Sequence, residues 1–325
     1  QAGPDGERLR LKAGSYFDEA LKYCLNCKRC EVSCPSNVRI GDIIQLARMR
    51  YAKSRPSLRD RMLANTDFVG RMATTFAPIV NTTLGWRPVK AAMDGVLHID
   101  RRRTFPSYAG QTFERWFRRH EEARQEGFDR HVSFFHGCYI NYNYPDLGKD
   151  LVHVLNALGY GVHLLEREKC CPNGLYDQAR RQALTNMESI RRSVTGERRP
   201  VIVASSTCTF TMRDEYPHVL GVGNEDVRDG IDLVTRFVYR IIDSGEARLR
   251  FRDDVRMKAA YHTACHMERL GWSCYSIALL RMIPTLELTL LPSQCCGIAG
   301  TYGFKKENYA ASQGIGAPLF RTIEL

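Results

Sequence analysis

The sequence predicts an α/β protein in which a small helical, cysteine-rich domain precedes two repeated α/β lobes, each built on a parallel sheet. Three observations carry this. A tight Cys run lies between two helical patterns within the first 55 residues or so. From residue 131 short apolar runs alternate with helical periodicity, the signature of strand–helix–strand units. That order then recurs: Cys138 returns as Cys265 after 127 positions, and the pair Cys170–Cys171 as Cys295–Cys296 after 125.

The 325 residues, 44% hydrophobic and 26% charged, suffice for two or three cores and exclude a disordered chain or a coiled coil. The longest charge-free stretches, Met72 to Trp86 and Leu288 to Phe304, are broken by Pro, Gly and polar residues. Neither suits a membrane span of ~20 apolar residues. The amino end, QAGPDGERLRLK, shows no secretory pattern, so the chain reads as intracellular. Twelve Cys in such a chain point to metal rather than to a disulfide scaffold. The net charge of +11 suits nucleic acid, anionic lipid or an acidic partner and cannot choose among them.

In order, helical patterns at Tyr16–Tyr23 and Asp42–Ala52 flank the Cys run and define a unit 1–55. Residues 56–130 hold no Cys and are rich in Arg and aromatics, a connecting region. The first lobe, 131–250, begins with strand VSFFHGC (132–138), followed by a helix whose Leu147, Leu151, Val154, Leu155 and Leu158 fall on one face. GVHLL (161–165) is the second strand, Tyr176 to Val194 the second helix and PVIVASST (200–207) the third strand. In the second lobe, 251–325, MKAAYHTAC (257–265), Trp272–Ile283 and LELTLL (286–291) repeat strand, helix, strand. Right-handed crossovers make both sheets parallel.

Cys24, Cys27, Cys30 and Cys34, followed by Pro35, give C-x2-C-x2-C-x3-C-P, the bacterial ferredoxin run that wraps a [4Fe–4S] cube. Structural zinc would use two separated Cys pairs. In such runs the fourth Cys ligates the other cluster of a pair, so Cys24, Cys27 and Cys30 are expected on one cluster and Cys34 on another. The sequence holds no second run, so a similar one is expected ahead of Gln1. The remaining candidates each follow the carboxyl end of a strand, where open parallel sheets bind ligands. They are Cys138, Cys170, Cys171 and Cys208 in the first lobe and Cys265, Cys295 and Cys296 in the second. Adjacent Cys strain as a disulfide but serve as neighbouring metal ligands. Buried apolar thiols are the plainer alternative, which two repeats of the same positions disfavour. An iron–sulfur centre is expected, with zinc in one lobe as the fallback.

The segments FFHGCYINYN, SSTCTF with RDEYP after it, YHTACHMERLGW and SQCCGIAGTYGFKKENY resemble the cysteine-rich CCG-domain family of heterodisulfide reductases and glycolate oxidase iron–sulfur subunits. With KYCLNCKRCEVSCPS, the whole chain resembles the C-subunit family of anaerobic glycerol-3-phosphate dehydrogenases. The resemblance implies a non-catalytic electron-transfer subunit attached peripherally at the cytoplasmic face of the bacterial inner membrane. It implies the flavin-containing A and B catalytic subunits as donor and menaquinone as acceptor. Three departures stand out. The family's earlier Cys run is absent, Pro172 replaces the Gly that follows the first Cys pair while Gly297 keeps it, and a further Cys and third strand of the second lobe would lie past Leu325.

His136, His262 and His266 adjoin candidate ligands and either bind metal, relay a proton or hydrogen-bond behind the ligands. Cys274 shares a helix face with Leu270 and Ile277 and reads as core; GIAGTYG lacks the strand and helix of a nucleotide loop. Val89, Ala92, Met93, Val96 and Leu97 form an apolar stripe after Trp86 and Pro88, flanked by Arg87, Lys90 and Arg101–Arg103. With Trp116, Phe113 and Phe117 this suits a membrane-interface segment over about 62–120, or a helix packed on protein. A thiol–disulfide reductase is the rival function, though the first lobe departs from the full CCG pattern. A nucleic-acid binder would need a basic recognition element, and none is present, so no nucleic acid is expected. No catalytic residue and no flavin- or substrate-binding motif is identified.

Overall fold

A computed structural model describes Leu21, residues 23–51, 57–170, 175–252, Asp254 and residues 256–324. Cys171, Pro172 and most of the helical pattern Tyr16–Tyr23 lie outside the described residues. The fold is mixed α/β with parallel sheets.

The first sheet contains β1 (Arg130–Phe135), β2 (Tyr160–Leu164), β3 (Val201–Val203) and β4 (Ile231–Leu233) in the order β2-β1-β3-β4, every pair parallel. The strand period of two sorts side chains to opposite faces. Val132, Phe134 and Ile202 join one core with Leu151, Leu155 and Val162, while Phe135, Val201 and Val203 join the other with Ala183, Met187, Ile190 and Ile231. Helix Pro145–Ala157 covers the first face and helix Tyr176–Arg191 the second. Within Pro145–Ala157 the periodic stripe is right in outline, though Leu147 and Val154 at its margin are exposed. β1 stops short of the expected 138 because the chain turns at Gly137, whose φ is +73°. β4 is not legible in the sequence: three residues are too short for a periodic signal.

The second sheet pairs β5 (Met257–Tyr261) with β6 (Leu286–Leu290) in parallel, Met257 opposite Leu286 and Tyr261 opposite Leu290. Helix Ser273–Arg281 between them leans on helix Val234–Asp243 of the first lobe, where Ser276 Oγ donates to Thr235 Oγ1 at 2.8 Å. Cys274 on that helix is exposed, not core, because Ser276 rather than Cys274 faces the neighbouring helix. Helix Tyr309–Glu324 closes the described chain.

Four helices, Leu58–Ala64, Thr66–Thr75, Ala77–Leu84 and Arg87–Val96, strap the lobes together. Arg59 pairs with both carboxylate oxygens of Glu307, at 2.9 and 2.8 Å, and Lys305 Nζ reaches Asp60 at 2.8 Å. Three residues expected at a membrane are corrected here. Phe113 and Phe117, on helix Phe113–His120, are fully buried in the first-lobe core, where Phe113 meets the Phe134 ring edge-on at 5.6 Å. Arg103, expected as a basic flank, turns inward: Nε donates to the Gly303 carbonyl at 2.6 Å and Nη2 to Ser312 Oγ at 2.6 Å. An Arg/aromatic composition cannot distinguish a bilayer from the protein's own sheet and helix ends.

Candidate metal centre

Each described candidate thiol of the lobes follows the end of a strand. β1 leads into helix Gly137–Tyr142 bearing Cys138, β2 into the loop with Cys170, and β3 into helix Ser206–Phe210 bearing Cys208. Cys170 Sγ donates to Cys138 Sγ at 3.3 Å, and Cys208 Sγ lies 3.9 Å from where a Gly137 side chain would begin. The contact between the two thiols holds Cys138 below its ordinary range and, with burial, raises Cys170 well above it. Around them the backbone is fixed by carboxylates. Glu168 accepts from the His136 and Gly137 amides at 3.0 and 2.5 Å, and Asp67 from the Cys170 amide at 3.3 Å. Burial pushes the Glu168 carboxyl up despite His136 at 3.2 Å.

In the second lobe Cys265 opens helix Cys265–Leu270 after β5, and Cys295 and Cys296 follow β6. Cys27 of the ferredoxin-type run reaches this group. Its thiol is raised first by hydrogen bonding to Cys295 and then by burial; Cys295 in turn is raised by its contact with Cys265, whose own thiol the same contact lowers. Cys27, Cys295 and Cys265 thus form one chain of thiols.

The run itself winds tightly, with Asn26, Lys28 and Asn37 all in the left-handed region at φ 54°, 61° and 51°. Burial, then Glu31, Cys27 and Cys24 raise the Cys30 thiol, so Cys24, Cys27 and Cys30 lie within electrostatic reach of one another. Backbone amides point at sulfur: Asn26 N to Cys24 at 3.4 Å, Val38 N to Cys34 at 3.5 Å and Gly297 N to Cys295 at 3.4 Å. Beneath the run, Lys28 is buried and pairs with Asp42 and with Glu31 at 3.4 Å. Arg39 joins Asp42 to Asp214 of the first lobe, and Arg269 joins Glu31 to the second at 3.2 Å.

The three His candidates hydrogen-bond behind the thiols. His136 Nδ1 lies 3.1 Å from the Gly137 carbonyl, His262 Nε2 lies 2.7 Å from the Gln294 carbonyl, and His266 contacts Thr207 Oγ1 and the Asn26 carbonyl.

The Cysteine-rich domain family, CCG, matches residues 132–213 and again 259–324, the two lobes whose strand ends carry these thiols. The chain is 59% identical over 329 aligned positions to the C subunit of anaerobic glycerol-3-phosphate dehydrogenase from Escherichia coli K12, spanning 100% of this chain and 82% of that protein. The chain belongs to the C-subunit family of anaerobic glycerol-3-phosphate dehydrogenases. It is also 32% identical over 184 residues to lactate utilization protein A of Anoxybacillus flavithermus, covering 54% of this chain and 75% of that protein. No solved structure matches it. Membership in this C-subunit family supports an electron-transfer role within a multi-subunit dehydrogenase.

The donor chemistry fits an iron–sulfur group. Cys138, Cys170, Cys265, Cys295 and Cys296 are free thiols, and amides rather than carboxylates face the sulfurs of Cys24, Cys34 and Cys295. The buried Ser293 hydroxyl and Tyr302 hydroxyl have no partner among the described residues, one near Cys295 in sequence and the other within electrostatic reach of Cys24. Among the described residues no three His, Cys, Asp or Glu side chains form a group able to hold a metal ion. Sequence reasoning missed Asp67, Glu168 and Tyr302. Of these, Glu168 carried a readable signal, an acidic residue two positions before Cys170 in the loop after β2.

Proposed function

We propose that this chain is the iron–sulfur electron-transfer and membrane-anchoring subunit of an anaerobic glycerol-3-phosphate dehydrogenase, taking electrons from flavin-containing catalytic subunits and passing them to menaquinone. The observation that carries the reading is the contiguity of the thiol groups: Cys27 touches Cys295, and the loop bearing Cys27 is hydrogen-bonded through His266 to the residue preceding Cys208. An iron–sulfur group supplies one-electron chemistry when bound. Cys24, Cys27 and Cys30 would hold one and Cys34 another, with further groups at Cys138, Cys170, Cys171 and Cys208 and at Cys265, Cys295 and Cys296. The chain's own part is to supply thiolates and to aim amides at sulfur, which tunes the potential. Metal loading must expel the protons held by the raised thiols of Cys27 and Cys170. Zinc, the fallback for one lobe, would take four thiolates there.

Attachment to the cytoplasmic face of the inner membrane is supported by an exposed apolar row, Phe68, Met72, Phe76 and Ile79, along helices Thr66–Thr75 and Ala77–Leu84 and the residue between them. No helix among the described residues is long and apolar enough to cross a membrane. Asp67, beside Phe68, bonds the Cys170 amide, so this row adjoins the first-lobe thiols and would bring a lipid-soluble quinone to them. The test is iron and sulfide analysis with electron paramagnetic resonance on the anaerobically purified complex. Cys34→Ser should disturb a different signal from Cys27→Ser. Loss of one and the same signal in both, or a complex without iron, would overturn the reading.

A further inference from the structure

One side chain touches all three thiol neighbourhoods. His266 follows Cys265, and its ring stacks on Phe210 at 4.7 Å with an interplanar angle of 17°. Its Nδ1 lies 3.2 Å from Thr207 Oγ1, next to Cys208, and its Nε2 lies 3.1 Å from the carbonyl oxygen of Asn26, next to Cys27. A carbonyl only accepts, so Nε2 donates to it, while Nδ1 shares a hydrogen bond with the Thr207 hydroxyl, which can donate or accept. Both ring nitrogens are therefore committed to neighbours rather than open to a metal.

The strand of chain that His266 holds needs holding. Asn26 has φ 54°, a conformation that costs energy for an L-residue and persists only where its surroundings enforce it. Its side chain is fixed from the first lobe, Nδ2 donating to Glu215 Oε1 at 2.6 Å, while Thr211 Oγ1 donates to Glu215 Oε2 at 2.7 Å. Its backbone is fixed from the second lobe by His266. The loop that presents Cys27 is thus gripped by both lobes on either side of one residue.

We propose that His266 is a positioning residue that clamps the ferredoxin-type run against both lobes and so sets the separations of the three cysteine groups. The proposal rests on the electron-relay reading above, because electron transfer falls steeply with the distance between donor and acceptor. It concerns the geometry between groups, not ligation within any of them.

The test uses the full complex with His266→Phe and His266→Gln. Phe keeps a ring to stack on Phe210 and loses both hydrogen bonds; Gln keeps a donor for the Asn26 carbonyl and an acceptor for Thr207. In the Phe variant, iron content should match the parent while spin–spin coupling between centres in electron paramagnetic resonance weakens. Amide hydrogen exchange at residues 25–28 should quicken about tenfold or more, as expected when a hydrogen bond to a half-buried turn is lost. Gln should restore most of both. Undiminished coupling in the Phe variant, whether or not exchange quickens, overturns the positioning role. A parent complex without iron would instead sink the relay reading, and exchange at residues 25–28 would then decide the clamp by itself, with unchanged exchange refuting it.

Discussion

At Gly297 the backbone has φ +75°, and a methyl group there would overlap the Ser312 carbonyl oxygen. This is why a Gly follows the second-lobe Cys pair: helix Tyr309–Glu324 lies directly on the turn, Ser312 Oγ donating to the Gly297 carbonyl at 2.8 Å. Gly297→Ala therefore combines a strained φ, costing about 1–3 kcal/mol, with a displaced helix. A clear fall in the thermal midpoint is expected. Gly314 provides the contrast, since it sits in the same helix with open space around its α-carbon. Gly314→Ala should raise stability by roughly 0.5–1 kcal/mol through helix propensity. Equal effects of the two changes in a denaturation series would contradict this difference in environment. At this scale the sequence is informative about candidates and silent about partnership: the spacing picks out Cys27 as a candidate ligand, but only tertiary packing brings it to Cys295.

Helix Ile40–Tyr51 shows how an element is anchored through charge. Burial raises the Asp42 carboxyl, yet hydrogen bonds from Lys28 and Arg39 outweigh it and hold the pKa below the ordinary value. A carboxyl depressed in the folded state contributes stability that is fully present above its unfolded pKa of about 3.9 and lost as pH falls through the folded value. The acid limb of a stability profile should accordingly flatten in Asp42→Asn, and an unchanged limb would show that the bonds to Lys28 and Arg39 are not formed in solution. Removing the cation is more costly. Lys28→Ala leaves Glu31 and Asp42 buried without it, which should cost on the order of 3–5 kcal/mol, and Lys28→Ala combined with Asp42→Asn should recover part of that. The helical pattern Asp42–Ala52 lies within two residues of the observed start, whereas the buried role of Lys28 is hidden, because a Lys inside a Cys run looks like any solvated charge. Helix Phe113–His120 misleads for the converse reason: Phe113 and Phe117 recur at a spacing that serves a core as well as a lipid surface.

Over the whole molecule the net charge of +11 is compatible with the lipid contact proposed for the exposed apolar row. Phe68, Met72, Phe76 and Ile79 are separated by four, four and three residues, and Phe68 and Ile79 are 68% and 64% exposed, so the row is open to solvent along its length. Exposed Arg61, Arg71 and Arg87 lie before, within and after it in sequence. Apolar side chains with cations beside them match the acyl and headgroup layers of an anionic leaflet. The stripe read from sequence on helix Arg87–Val96 fits less well, since Val89 and Met93 are half-buried and Val96 alone of the three is open. Burying an apolar side chain contributes roughly 1.5–3 kcal/mol, so Phe68→Ser, Met72→Ser and Phe76→Ser together should weaken binding to anionic vesicles at least about 100-fold even with partial insertion. High salt should weaken the parent by a smaller factor, because screening removes the attraction of the cations and leaves the apolar contact. Val89→Ser with Met93→Ser should instead lower stability and leave vesicle binding nearly intact. If the triple variant sediments with anionic vesicles like the parent, the row is not the lipid contact.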